Sequence, residues 1–73
     1  GLWAQLRLQE AGGGQRAPGD SVTLSCCGSG FIFRDHAILW YRQAPGGSLQ
    51  WISLITFHSP GIKLYGRAVK GRA

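Results

Sequence analysis

The stretch that most constrains this chain runs Ile38-Leu39-Trp40-Tyr41-Arg42-Gln43 and breaks at Ala44-Pro45-Gly46. β-Branched, aromatic and long apolar side chains fill it. The break joins a residue of fixed φ to one of free φ, so the reading is a strand entering a turn. Alternation places Ile38, Trp40 and Arg42 on one face and Leu39, Tyr41 and Gln43 on the other. Both faces carry large apolar groups, so both are expected to need a partner.

The flanking sequence supplies more strands. Gln5-Leu6-Arg7-Leu8-Gln9 alternates with period two, and Ala11-Gly12-Gly13-Gly14 is expected to end or bend that strand. Ala17-Pro18-Gly19-Asp20 is a turn signal. Ser21–Cys27 alternates most cleanly, with Val22, Leu24 and Cys26 on the expected core face and Cys27 on the other. A bond between two adjacent cysteines would be strained, so none is expected between them. Gly28-Ser29-Gly30 is expected to break the strand before Phe31-Ile32-Phe33 and the polar crest Arg34-Asp35-His36. Leu49–Phe57 is a further strand, uncharged from Trp51 onward. His58-Ser59-Pro60-Gly61 turns the chain, Ile62–Tyr65 is a weaker strand, and Gly66–Ala73 is basic and poorly patterned. With no amphipathic helix of useful length, the predicted class is all-β, built from antiparallel hairpins.

Composition narrows the function. A chain of 73 residues is at most one domain and usually needs a staple or a partner. Two cysteines without metal spacing point to an oxidising, secreted setting. No apolar run approaches the roughly 18 residues of a membrane-spanning helix. The formal charge of +5 favours polyanions, although scattered cations usually form a solvated face. Lys63, Arg67, Lys70 and Arg72 lack the aromatic interleaving of a nucleic-acid module. His36 and His58 do not combine with Cys26 and Cys27 in any zinc spacing. Glu10, Asp20 and Asp35, the only carboxylates, are placed near turns or strand ends, where solvation outweighs acid–base chemistry. Ser25 and Ser53 lack nucleophile-elbow glycines. Neither an enzyme nor a cofactor is expected. Gly1-Leu2-Trp3-Ala4 is taken as a leader remnant, tag or extension.

Cys26 and Trp40 lie 14 positions apart on core faces of successive strands. That is the first half of an immunoglobulin sandwich pattern. Leu8–Gly14, Leu24-Ser25-Cys26, Ser29–Phe33, Trp40–Gly46, Leu49-Gln50-Trp51-Ile52 and Val69-Lys70-Gly71-Arg72, in that order, resemble antibody heavy-chain variable domains. The likeness spans about Gln5 to Arg72, so residues 5–73 are taken as part of such a domain. It implies antigen recognition as the parent function. Arg34 to Leu39 would overlap the first hypervariable loop and Leu54 to Gly71 would span the second. Arg34, Asp35, His36, Phe57, His58 and Ser59 would then be antigen-contacting. For Phe57, a strand cap is the competing reading. Tyr41, Gln43, Leu49 and Trp51 would form the light-chain face. Tyr41 resembles the camelid single-domain form, whereas Leu49 and Trp51 resemble light-chain-paired domains, so the pairing state stays open. Gln15-Arg16-Ala17, Cys27, Gly66-Arg67 and Ala73 depart from the family pattern.

The resemblance stops before the family's second core cysteine and third hypervariable loop. The expectation is therefore a truncated domain in which Val22, Leu24, Cys26, Ile38 and Trp40 lose much of their cover. Loss of an inter-sheet disulfide costs about 2–5 kcal/mol against a net stability of about 5–15 kcal/mol. Such a piece is expected to stack with identical copies as a cross-β fibril rather than complete a sandwich. Trp51-Ile52-Ser53-Leu54-Ile55-Thr56-Phe57 is the leading segment, with sulfated glycans relieving charge repulsion. The alternative is a folded antigen-binding module.

Overall fold

A computed structural model describes residues 5–73; the expectation for residues 1–4 lies outside them. The fold is all-β: the described residues form five strands, β1 (Arg7–Gly12), β2 (Leu24–Ser29), β3 (Ala37–Gln43), β4 (Leu49–Thr56) and β5 (Lys63–Tyr65), and one 3-10 turn at Phe33–Asp35. Every strand pairing is antiparallel. The chain divides into two compact units, Gly1–Ile32 and Phe33–Ala73.

The first unit is a two-stranded sheet in which Arg7 opposes Ser29 and Gly12 opposes Leu24. Its boundaries correct the sequence reading at both strands. β1 begins at Arg7 rather than Gln5, and it ends at Gly12, within the Ala11–Gly14 stretch expected to end or bend it. Gly12 itself has φ +91°, and a Cβ there would overlap the Thr23 carbonyl, so glycine both permits the last pair and ends the strand. β2 starts at Leu24 rather than Ser21 and runs through Gly28-Ser29, which the sequence marked as a break. Alternation tells which face a residue takes; the ladder depends on which residues find a partner, and here β1 reaches only from Leu24 to Ser29. Glu10 consequently sits inside β1 opposite Cys26, not at a strand end. The turn at Ala17–Asp20 forms as predicted, with the Ala17 N–H donating to Asp20 Oδ2 (3.2 Å) and the Asp20 N–H to the Ala17 carbonyl (3.0 Å).

The expected core face of β2 is not a core. Val22 is 47% exposed and Leu24 52%, while Cys26 is half-buried. A two-stranded sheet has too little neighbouring surface to bury either face by itself.

The second unit is a three-stranded sheet of order β3-β4-β5 with β4 in the centre. The predicted β3 gains only Ala37, the predicted β4 ends at Thr56 so that Phe57 lies beyond the strand, and β5 loses Ile62. Here the molecule has its buried hydrophobic residue among those described: Ile38, 7% exposed, opposite Ile55. This corrects the expectation that Ile38 loses its cover; cross-strand aliphatic pairing on a three-stranded sheet holds it. Trp40 is half-buried. The loop between β3 and β4 closes through Ala44 N–H to the Ser48 carbonyl and Gly47 N–H to the Ala44 carbonyl, both 3.0 Å.

The pairing of β3 with β4 contains a break in register. Trp40 opposes Ser53, but Tyr41 opposes Trp51, which leaves Ile52 as the extra residue of a β-bulge. One added residue reverses the side-chain faces of everything beyond it. After β5, residues 66–73 form successive turns: the Gly66 carbonyl accepts the N–H groups of Val69 (3.1 Å) and Lys70 (3.0 Å), and the Val69 carbonyl those of Arg72 (2.9 Å) and Ala73 (3.2 Å). The segment without a sequence pattern is thus ordered by its backbone.

Candidate recognition face

Cross-strand partners share a face, so the register sorts the side chains of the second unit. One face holds Ile38, Trp40 and Arg42 with Ile55, Ser53 and Gln50 opposite them. The other holds Leu39, Tyr41 and Gln43 with Leu54, Trp51 and Leu49 opposite, and Leu64 beside Leu54. The four residues assigned to a light-chain face from the resemblance therefore fall together, as the pairs Tyr41–Trp51 and Gln43–Leu49. The bulge is what permits this. Strict alternation along β4 would put Trp51 on the side of Ser53 and Ile55, opposite to Leu54.

This second face is strongly apolar and largely open to solvent. Leu49 is 66% exposed, Leu64 51%, Tyr41 50%, Leu39 44% and Trp51 38%. Gln43 is turned toward the adjoining turn, where its amide donates to the Gly47 carbonyl at 3.4 Å. Alternation in the sequence already set Leu39 beside Tyr41 and Gln43 on this face, and sequence reasoning left out Leu64. Leu64 required knowledge of the β4–β5 register.

The Ile38 face is better covered. Arg42 Nε donates to Gln50 Oε1 at 2.7 Å near its open end. At its centre Ser53 is 4% exposed, and its hydroxyl has no hydrogen-bond partner. A buried hydroxyl without a partner costs stability, which makes Ser53 a weak point in the centre of the best-formed strand.

The residues assigned to antigen contact occupy the end of the same hairpin. Ala37 opposes Thr56, so the segment before β3 and the segment after β4 meet there. Arg34 and Asp35 lie in the 3-10 turn, and the His36 N–H donates to the Phe33 carbonyl at 3.0 Å. The Phe33 and Phe57 rings pack edge to face, with centroids 5.0 Å apart and planes at 69°. Phe57 therefore ties the two segments together as well as capping β4. Phe33, the residue that sequence reasoning missed here, was visible only as the last member of an apolar triplet. The 57–61 loop, which contains a cis Ser59–Pro60 peptide, is closed by Thr56: its N–H donates to the Ile62 carbonyl (2.9 Å) and its Oγ1 accepts the Ile62 N–H (2.8 Å). Arg34, Asp35, His36, Phe57, His58 and Ser59 are all exposed.

Cys26 and Cys27 are both free thiols, with no bond between them. Cys27 opposes Gln9 in the first unit and borders a recess of about 150 Å³ lined by Arg7, Gln9, Gly28 and Ser29. Among the described residues no group of three or more His, Cys, Asp or Glu side chains is placed to hold a metal ion, and no helix is long and apolar enough to cross a membrane. No protein-family model matches the chain.

Proposed function

We propose that the chain is part of a secreted recognition domain of the antibody heavy-chain variable class, which acts by binding and not by catalysis. The single observation that carries this reading is the shared face of Tyr41, Gln43, Leu49 and Trp51, an exposed apolar surface assembled across a bulged strand pair. Contiguous exposed apolar surface of this kind suits a protein partner. The partner is a light-chain-type β-domain, and the antigen-contacting end is the Arg34–His36 turn with the Phe57–Ser59 loop. No cofactor, nucleic acid or membrane span enters this reading. The test is a calorimetric titration of the 73-residue chain with an isolated light-chain variable domain. Saturable binding that Leu49→Glu weakens about tenfold or more supports it, because a charge on an apolar interface is left desolvated. Absence of binding overturns it.

A second reading, self-association of identical copies into a cross-β stack, is favoured by the uncharged segment Trp51–Phe57 and by the open outer edges of β3 and β5. It competes with the fold. Ser53, Leu54 and Ile55 are paired on both sides, to β3 and to β5, so stacking of this segment requires the sheet to open first. Fibre diffraction after prolonged incubation tests it. A reflection near 4.7–4.8 Å, spacing about that of paired strands, supports stacking, and its absence removes this reading.

A further inference from the structure

The formal charge of +5 is confined to one of the two units. In Gly1–Ile32 the cations Arg7 and Arg16 are matched by Glu10 and Asp20. In Phe33–Ala73 six cations face the single carboxylate Asp35. Four of those six, Lys63, Arg67, Lys70 and Arg72, lie within ten consecutive positions that contain no acidic residue, and all four are exposed.

Backbone hydrogen bonds order the segment that carries them. Gly66, buried between Lys63 and Arg67, donates its N–H to the Ile52 carbonyl at 2.6 Å and so fixes the start of the segment to the central strand. The Val69 and Lys70 bonds to the Gly66 carbonyl then fold the chain back over itself, which places Arg67 and Lys70 one turn apart. The Arg72 guanidinium donates to the Ala68 carbonyl at 2.6 Å, which holds its base within the same turns. Concentrated like charge in a fixed arrangement is costly in isolation and holds counterions. A polyanion that displaces several of them gains the free energy of their release.

We propose that residues 63–73 are a binding site for a sulfated polysaccharide. Two guanidinium groups and two ammonium groups match the tetrahedral oxyanions such a chain repeats along its length, the guanidinium fork in paired hydrogen bonds and the ammonium as a point charge. Single-stranded nucleic acid fits less well. It is gripped by aromatic platforms between cations, and Tyr65 is the one aromatic in this segment. The site goes beyond the recognition reading, and its cations Lys63, Arg67, Lys70 and Arg72 are not among the residues on which that reading rests.

The experiment compares heparin binding by the full chain and two double variants at about 0.15 M salt. Arg67→Gln/Lys70→Gln and Arg7→Gln/Arg16→Gln each remove two charges from the same starting charge of +5, so they differ only in where the charge is lost. Hyaluronan, carboxylated but unsulfated, and an oligothymidylate serve as competing polyanions, and far-UV circular dichroism checks that each variant keeps its strands. The expected result is heparin binding weakened about tenfold by the first variant and less than about twofold by the second, with hyaluronan and oligothymidylate bound more weakly than heparin. Equal losses in the two variants would make the effect one of net charge alone and overturn the site. Equal or tighter binding of oligothymidylate or hyaluronan, or no heparin binding by the unaltered chain, would overturn it as well.

Discussion

The two units are both antiparallel sheets from one short chain, yet they differ in burial and in charge. The β1–β2 sheet draws on the cleanest alternation in the sequence, yet its Leu8 and Leu24 stay about half exposed. The β3–β4–β5 sheet interrupts its alternation with a bulge, and it holds both Ile38 and Ser53 below a tenth exposed. Pattern fidelity is therefore not what produces a core. What sets the second sheet apart is a third strand, which flanks the central strand carrying Ser53 and widens the face on which Ile38 of the edge strand β3 pairs with Ile55.

The sharpest way to break this comparison is at Ile38. Ile38→Ala should cost about 2–5 kcal/mol, and residue-resolved amide exchange should lose protection across β3, β4 and β5 together. The parallel change in the other unit, Leu24→Ala, removes a half-exposed side chain and should cost about 1 kcal/mol or less in the same measurement. Equal costs would mean that the two sheets are equally well packed.

Gly66 gives the next largest effect. A Cβ there would stand 2.8 Å from the Trp51 carbonyl oxygen and 3.2 Å from the Trp51 ring. Gly66→Ala should therefore destabilise the second unit by about 1–3 kcal/mol, seen as faster exchange at the Gly66 amide and a changed Trp51 emission. Ser53→Ala should act in the opposite direction. Deleting a buried hydroxyl with no partner is expected to raise stability by about 1 kcal/mol, read as a higher denaturant midpoint with an unchanged slope. Smallest is Arg42→Ala, which removes the exposed bond to Gln50 and should shift the midpoint by about 0.5 kcal/mol or less.

Much of the second unit was legible in the sequence because its strands are dense in β-branched and aromatic residues and are bounded by Ala-Pro-Gly and Ser-Pro-Gly. The face shared by Ile38, Trp40 and Arg42 follows from alternation alone. The bulge at Ile52 was not legible, since no glycine or other special residue marks it; it arises where two strands of unequal local length are paired. The limits of β1 and β2 were misplaced for a related reason. Val22 alternates correctly with Leu24 but has no opposing residue, and a residue without an opposing partner is not part of a ladder. In the candidate site, Tyr41, Gln43, Leu49 and Trp51 were named from the resemblance, whereas their union on one face depends on the register. Gly66 looked like a departure from pattern, and its closeness to the Trp51 carbonyl supplies the physical reason for a residue without a side chain.

The bulge decides which face Trp51 joins, and so whether Tyr41, Gln43, Leu49 and Trp51 share the proposed surface. Cross-strand nuclear Overhauser contacts from Tyr41 in the full chain measure it directly. The bulged register predicts that Tyr41 meets Trp51 while Gln43 meets Leu49. Contacts from Tyr41 to Ile52 in their place would carry Trp51 to the Ile38 side and contradict the proposed surface.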